Sequence, residues 1–383
     1  MKSRIFLVTS AAWFVEQFLI PQIRAAAKEY DVSIYVDSND TEMLKRLNIN
    51  VSVIPTPIAR AIRPLSDLHG LVRLYISMRR NQPNLVHSTG PKGGLLGMFA
   101  AWAARVPVRV HTFTGQVWTN STGFPRIALK LADRCTAWLA TDILVDSPSQ
   151  QDFIVTEHIV PKWKTTVLGK GSISGVNVNR FAPNSEMRDE IRRGLGIPND
   201  VFLILFMARL TRDKGALMMA EGFRRLNFDR QGAAHLLVVG PDEENLVPII
   251  RKICNDCSSH LHFHGYTRVP ENFMAASDVL CLPSYREGFG TVLINAASSG
   301  IPAIASRIYG SKDAVVDGET GILIEPGDAS ELASKLMLLM NDPGLRFRLG
   351  TRGRERVCQD FSEDSLTKAM MNFYGARLFS SKI

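Results

Sequence analysis

Two stretches of this chain carry residues whose types and spacing suit chemistry. Ser284-Tyr-Arg-Glu-Gly-Phe-Gly-Thr-Val-Leu-Ile-Asn295 sets Glu287 beside Gly288 and Gly290, and Leu203-Ile-Leu-Phe-Met-Ala-Arg-Leu-Thr-Arg-Asp-Lys-Gly215 closes on Arg209 and Lys214. Glycines let a backbone approach a ligand closely, and free amides at a helix start attract anions. A carboxylate accepts hydrogen bonds from sugar hydroxyls, and a pair of cations neutralises a diphosphate. The combination describes a site for a phosphate-bearing, hydroxyl-rich ligand.

Such a site needs strands that end at one edge. Asp278–Pro283 is an apolar run that reads as a buried strand, followed by a helix over Thr291–Ser299. Leu203–Ala208 reads as a second strand, before a helix carrying Ala216, Ala220, Phe223 and Asn227. In open α/β sheets ligands bind beyond the carboxyl ends of the strands, where Arg209, Lys214 and Glu287 would meet. Further strands are expected at Ala234–Gly240, Leu261–Gly265, Pro302–Ser306 and Gly318–Ile324. An amphipathic helix is expected over Asp328–Met340, with Leu332, Leu336 and Leu339 on one face.

The N-terminal half is less explicit. Ile5–Thr9 reads as a first strand and Phe18–Tyr30 has helical periodicity, but Ser10-Ala-Ala-Trp13 lacks glycines for a close phosphate contact. Asn84–His87 and Val108–His111 read as strands that aim His87 and His111 at one edge. A histidine there is more often a satisfied structural group than a catalytic one. Lys92 with Gly93 and Gly94 suits either an acceptor phosphate or a solvated loop. Gly169-x-Gly171 is not a dinucleotide fingerprint, because the third glycine is misplaced and no long helix follows at once.

The paired motifs resemble those of the nucleotide-sugar-dependent glycosyltransferases of sequence family 4, which have the two-domain GT-B fold and retain anomeric configuration. The resemblance implies an α/β chain with two Rossmann-like, doubly wound domains facing across a cleft. It implies that Arg209 and Lys214 neutralise the donor diphosphate, that Glu287, first of a Glu-x7-Glu motif, contacts the donor sugar, and that His111 faces that sugar. Gly288, Phe289, Gly290 and Thr291 fall in the donor loop, and the segment after Gly265, with Tyr266, lies over the nucleobase. The second Glu of the motif is replaced by Asn295, which can still accept a ribose hydroxyl but without charge assistance, at a cost on the order of tenfold in donor affinity. His87, Lys92 and Gly93 are acceptor-side candidates.

Within the family, His87 through Trp118, Val145-Asp-Ser-Pro-Ser149 and Gly169-Lys-Gly-Ser look most like bacterial enzymes that build O-antigen or capsule on a polyprenyl-diphosphate carrier. A UDP-sugar is the donor this favours and a glycan or lipid-linked saccharide the acceptor.

Length fits two domains, 1–178 and 179–361, with a final helix at 362–383; the resemblance implies that the first binds the acceptor, the second the nucleotide-sugar, and that the last helix crosses back to the first domain. The net charge of +8 suits phosphate ligands or an anionic membrane, and no zinc finger or RNA-recognition signature points to nucleic acid. Arg60, Arg63, Arg73, Arg79 and Arg80, interleaved with Leu71, Val72, Leu74, Tyr75 and Ile76, suggest peripheral contact with an anionic leaflet or a buried helix with solvated arginines. No run reaches the roughly 18–20 apolar residues of a span and no signal-peptide pattern occurs, so a cytoplasmic protein is expected. Five scattered cysteines agree with reduced thiols. Cys254-x-x-Cys257 lacks a partner pair, and His260, His262 and His264 make at most a surface metal site. With no Asp-x-Asp, the expectation is a reaction without metal or other cofactor. Two other readings remain at this level: a GT-B nucleotide-sugar epimerase, and a non-catalytic protein that binds a glycan or partner.

Overall fold

The computed structural model describes residues 2–228 and 234–381. These divide into two compact units, one made of residues 1–175 and 363–383 and the other of 176–362. The first unit holds strands β1 (Arg4–Thr9), β2 (Asp31–Val36), β3 (Ser52–Pro55), β4 (Leu85–Thr89), β5 (Val108–Phe113), β6 (Asp142–Val145) and β7 (Thr165–Val167). The second holds β8 (Phe202–Met207), β9 (Ala234–Val239), β10 (Leu261–His264), β11 (Val279–Leu282), β12 (Ala303–Ser306) and β13 (Gly321–Ile324).

Every pairing among these strands is parallel. The spatial orders are β3-β2-β1-β4-β5-β6-β7 and β10-β9-β8-β11-β12-β13. Each order reverses once, between β1 and β4 and between β8 and β11, and that reversal opens a crevice at the carboxyl ends. Helices cover both faces of such sheets, so the strands read as continuous apolar runs. Alternate residues still sort by face: Leu203, Leu205 and Leu237 join one buried cluster, Ile204, Phe206 and Leu236 the other.

The helix Glu363–Ser380 belongs to the first unit. Leu366, Met370, Phe373, Tyr374 and Leu378 form its buried stripe, packed toward the helix Ile20–Glu29. Burying a side chain of this size stabilises by roughly 1.5–3 kcal/mol. The first boundary lies at Gly175–Val176, a few residues ahead of the expected one, because the Val176 amide donates to the Phe361 carbonyl at 2.8 Å and Val176 bridges Ser362. The helix after the Gly169–Gly171 turn begins only at Ser185.

A candidate sugar-nucleotide site

In the second unit the loops after β8 and β11 meet at the switch point. Gly215, at φ 76°, makes this possible, since a Cβ there would run into the carbonyl oxygen of Pro283 and L-residues avoid that φ. The close approach places Lys214 Nζ 2.8 Å from Glu287 Oε1, and Ser284 Oγ donates to the same oxygen at 2.8 Å. Both ionic side chains are largely shielded, at 18% and 9% exposure. A second ion pair runs alongside, Arg286 to Asp213 at 2.9 Å, and the Tyr285 amide donates to the Asp213 carbonyl at 2.8 Å. Burial would raise the Asp213 carboxyl, but the Thr211 hydroxyl and Arg286 outweigh it and hold it below the usual carboxylate range. Arg209 Nη1 pairs with Glu243 Oε2 at 2.6 Å in a more exposed position.

Gly290, at φ 74°, caps the helix Thr291–Ser298, whose first amides open at the end of β11. Gly288 completes the loop. The Phe289 ring is buried and packs 5.3 Å from Phe361, so its side chain belongs to the core and only its backbone is left for a ligand. Asn295 is half-buried on that helix, and its side-chain amide has no hydrogen-bond partner among the described residues. Gly265 and the exposed Tyr266 follow β10, two strand spacings from β8, about 10 Å along the same edge.

In the first unit His111 is enclosed. Ser88 Oγ holds its Nδ1 at 2.9 Å, the ring packs edge-on to Phe113, and Gly94 leaves the space it fills, for a Cβ there would overlap the imidazole. Burial pushes its pKa down to about 3, so the ring is neutral, and Nε2 has no hydrogen bond among the described residues.

The acceptor-side candidates are corrected. His87 is buried with both nitrogens engaged, Nδ1 with Tyr374 Oη at 2.6 Å and Nε2 with Thr112 Oγ1 at 2.7 Å, so it has nothing to offer an acceptor. Its burial lowers its pKa to about 4. Lys92 Nζ lies 2.8 Å from Asp67 Oδ1 and also meets the Ala61 carbonyl, so it ties two helix starts together. Gly93 is buried against the backbone of Thr9.

Several residues were missed. Asp213 and Arg286 stand inside the two recognised stretches, and their opposite charges were the available signal. Asp146, just after β6, is buried with Oδ1 unpartnered, and burial pushes its pKa up to about 8. Nothing in Val145-Asp-Ser announces that. Among the described residues no three or more His, Cys, Asp or Glu side chains are gathered as a metal would need.

Each unit matches a known family. Residues 23–171 match the glycosyl transferase 4-like domain and residues 187–356 the glycosyl transferases group 1. The capsular polysaccharide biosynthesis glycosyltransferase CapM of Staphylococcus aureus is 30% identical over 357 residues, 93% of either chain. The chain belongs to the group 1 glycosyl transferases. A second relative of this glycosyltransferase is the UDP-Gal:alpha-D-GlcNAc-diphosphoundecaprenol alpha-1,3-galactosyltransferase of Escherichia coli, 25% identical over 82% of the chain and 81% of the relative. Among solved structures, Anabaena Alr3699/HepE in complex with UDP-glucose superposes with a TM-score of 0.82 over 98% of this chain and all of that one, at 18% identity. That likeness gives the enzyme the GT-B fold.

Proposed function

We propose that this glycosyltransferase takes a UDP-sugar and transfers the sugar, with retention, to a polyprenyl-diphosphate-linked saccharide during surface-polysaccharide assembly at an anionic membrane. The observation that carries the reading is the 2.8 Å pair of Lys214 and Glu287 at the β8/β11 switch point. It sets a cation for the diphosphate next to a carboxylate for the sugar hydroxyls. Arg209, whose partner Glu243 is partly exposed, adds a second cation. The lipid-diphosphate acceptor and the UDP donor are suggested by the Escherichia coli relative.

In the transfer, the bond from the anomeric carbon to the β-phosphate oxygen breaks, and Arg209 and Lys214 stabilise the charge that grows on the departing diphosphate. A bond from the acceptor oxygen to the anomeric carbon forms on the same face, and the acceptor proton goes to a phosphate oxygen of the leaving group. The cationic pair serves the diphosphate in place of a divalent ion.

The test is incubation of the purified enzyme with a panel of nucleotide sugars, a polyprenyl-diphosphate saccharide and chelator, with the anomeric configuration of the product read by NMR. A product of the donor's own configuration supports the reading. An inverted product, or epimerised donor without transfer, refutes it.

A further inference from the structure

Three helices of the first unit, Pro64–Asn81, Pro91–Ala103 and Gly123–Leu139, pack side by side. Each turns an apolar stripe to solvent as well as one to the core. On the third helix the exposed side chains include Phe124, Ile127, Leu131, Cys135 and Trp138, a spacing that puts these five on one face. The middle helix exposes Phe99 and Trp102, and the Trp102 ring lies 5.9 Å from both Phe99 and Trp138, joining two stripes into one aromatic patch. Trp102 and Trp138 remain 45% and 68% exposed. The first helix adds Leu65, Leu68, Val72 and Ile76, with Leu65 87% exposed. An aromatic patch joined across two helices, with a third exposed apolar stripe on the helix packed beside them, marks an interaction site.

The charge beside the patch has one sign. Arg79 falls on the exposed side of the first helix with Leu68 and Val72, Arg73 and Arg80 flank that side, and Arg63 precedes the helix. The acidic residues of the three helices are Asp67 and Asp133. Asp67 is bound by Lys92 at 2.8 Å, and Asp133 is buried, accepting the Trp118 indole N–H at 2.8 Å. Neither offsets the arginines. A second copy of the same face would bring like charge to like charge, whereas tryptophan and arginine together suit the headgroup level of an anionic bilayer. No described helix is long and apolar enough to cross a membrane, so the contact is peripheral.

We infer that this three-helix face docks the enzyme on an anionic bilayer, with Trp102 and Trp138 seated among the headgroups and Arg73, Arg79 and Arg80 on acidic lipid. The inference rests on the reading of a membrane-held acceptor and names the surface that serves it.

The test is sedimentation of the full-length protein with vesicles of phosphatidylcholine alone or mixed with phosphatidylglycerol, containing no carrier lipid. Failure here therefore stays separate from failure of the acceptor assignment, which is read by transfer to a soluble short-chain acceptor. The wild-type protein is expected to bind the anionic vesicles and not the neutral ones. Trp102→Ser with Trp138→Ser should weaken binding at least tenfold with an unchanged melting temperature, and each of Arg79→Glu and Arg80→Glu by about fivefold or more. Absence of binding to anionic vesicles, or equal binding by all variants, overturns the proposal. So does a dimer in solution that the tryptophan substitutions dissolve.

Discussion

Lys214 and Glu287, far apart in sequence, meet at 2.8 Å because Gly215 lets the loop after β8 lie against the end of β11. Their shielding separates two kinds of variant. Lys214→Ala leaves the Glu287 carboxylate with Ser284 as its remaining side-chain partner, and should cost about 1–3 kcal/mol of stability as well as activity. Arg209→Ala removes a more exposed pair and should change stability by less than about 1 kcal/mol, while turnover falls about 10²–10³-fold. Urea unfolding and turnover measured on both variants check this. If Arg209→Ala turns over at the wild-type rate, its place on the diphosphate is wrong.

Two glycines make an opposed pair. Gly94→Ala forces a methyl into the His111 ring and should destabilise by about 1–3 kcal/mol, the range for overpacking. Gly265→Ala meets nothing within 4 Å and should leave the melting temperature unchanged. A rise in the UDP-sugar KM of Gly265→Ala with kcat retained would place the base over that loop. An unchanged KM would place it elsewhere.

The cluster of the second unit was legible because its chemistry is local. Arg209 and Lys214 stand within one loop and Glu287 within another, and apolar runs announced the strands that aim them. The candidates of the first unit were not legible, because burial there is decided from a distance. His87 reads like His111 from its strand position, but Tyr374, on the returning helix, engages His87 from 287 residues away. The expected final helix did not reveal which of its side chains would meet His87. For Phe289 the motif gave the loop position and not the burial: Phe361, packed on its ring, makes the side chain core. On the helix Pro64–Asn81 the arginines and apolar residues suggested a membrane surface or a buried helix. The stripe through Leu74 and Met78 is buried, while Val72 and Ile76 lie on the opposite, exposed side.

The buried histidines set an acid limit. His87 and His111 have folded-state pKa values of about 4 and 3, below the 6.5 of a free imidazole. The unfolded chain therefore binds protons below pH 6.5 that the folded chain does not, so stability falls as pH drops from 6.5 toward 4. Each ring contributes a slope of about 1.4 kcal/mol per pH unit. Half-exposed His235 adds a smaller effect of the same sign. Between pH 7 and 5 the buried carboxyls Asp146 and Asp133, raised to about 8 and 6, contribute with the opposite sign, so the check is site-specific: NMR should find both rings neutral at pH 5. An imidazole of either residue titrating near 6.5 contradicts the burial.

Asn295 should be improvable. Its amide is half-buried without a hydrogen-bond partner among the described residues, and a carboxylate there would add charge assistance to a ribose hydroxyl bond. Asn295→Glu is expected to tighten UDP-sugar binding by about tenfold, read by calorimetry. Weaker binding would mean that the ribose does not reach this residue, or that a nearby donor phosphate repels the added charge.

Asp146 titrates against the direction of an ordinary surface carboxylate. Its folded pKa of about 8 lies above the reference value of 3.8, so the folded protein keeps a proton that the unfolded chain loses. Stability from this group is therefore complete below pH 4 and declines as pH rises toward 8. Asn is isosteric with the protonated acid and cannot ionise. Asp146→Asn should match the wild type at pH 4 and below and become progressively more stable than it up to pH 8, with the melting-temperature difference growing in that direction. If the difference is flat with pH, the carboxyl is ionised in the folded state and a cationic partner or bound water compensates it. A second readout separates packing from function. Because Asn keeps the shape but not the acidic proton, a loss of turnover in a variant at least as stable as the wild type would give the Asp146 carboxyl a role beyond packing.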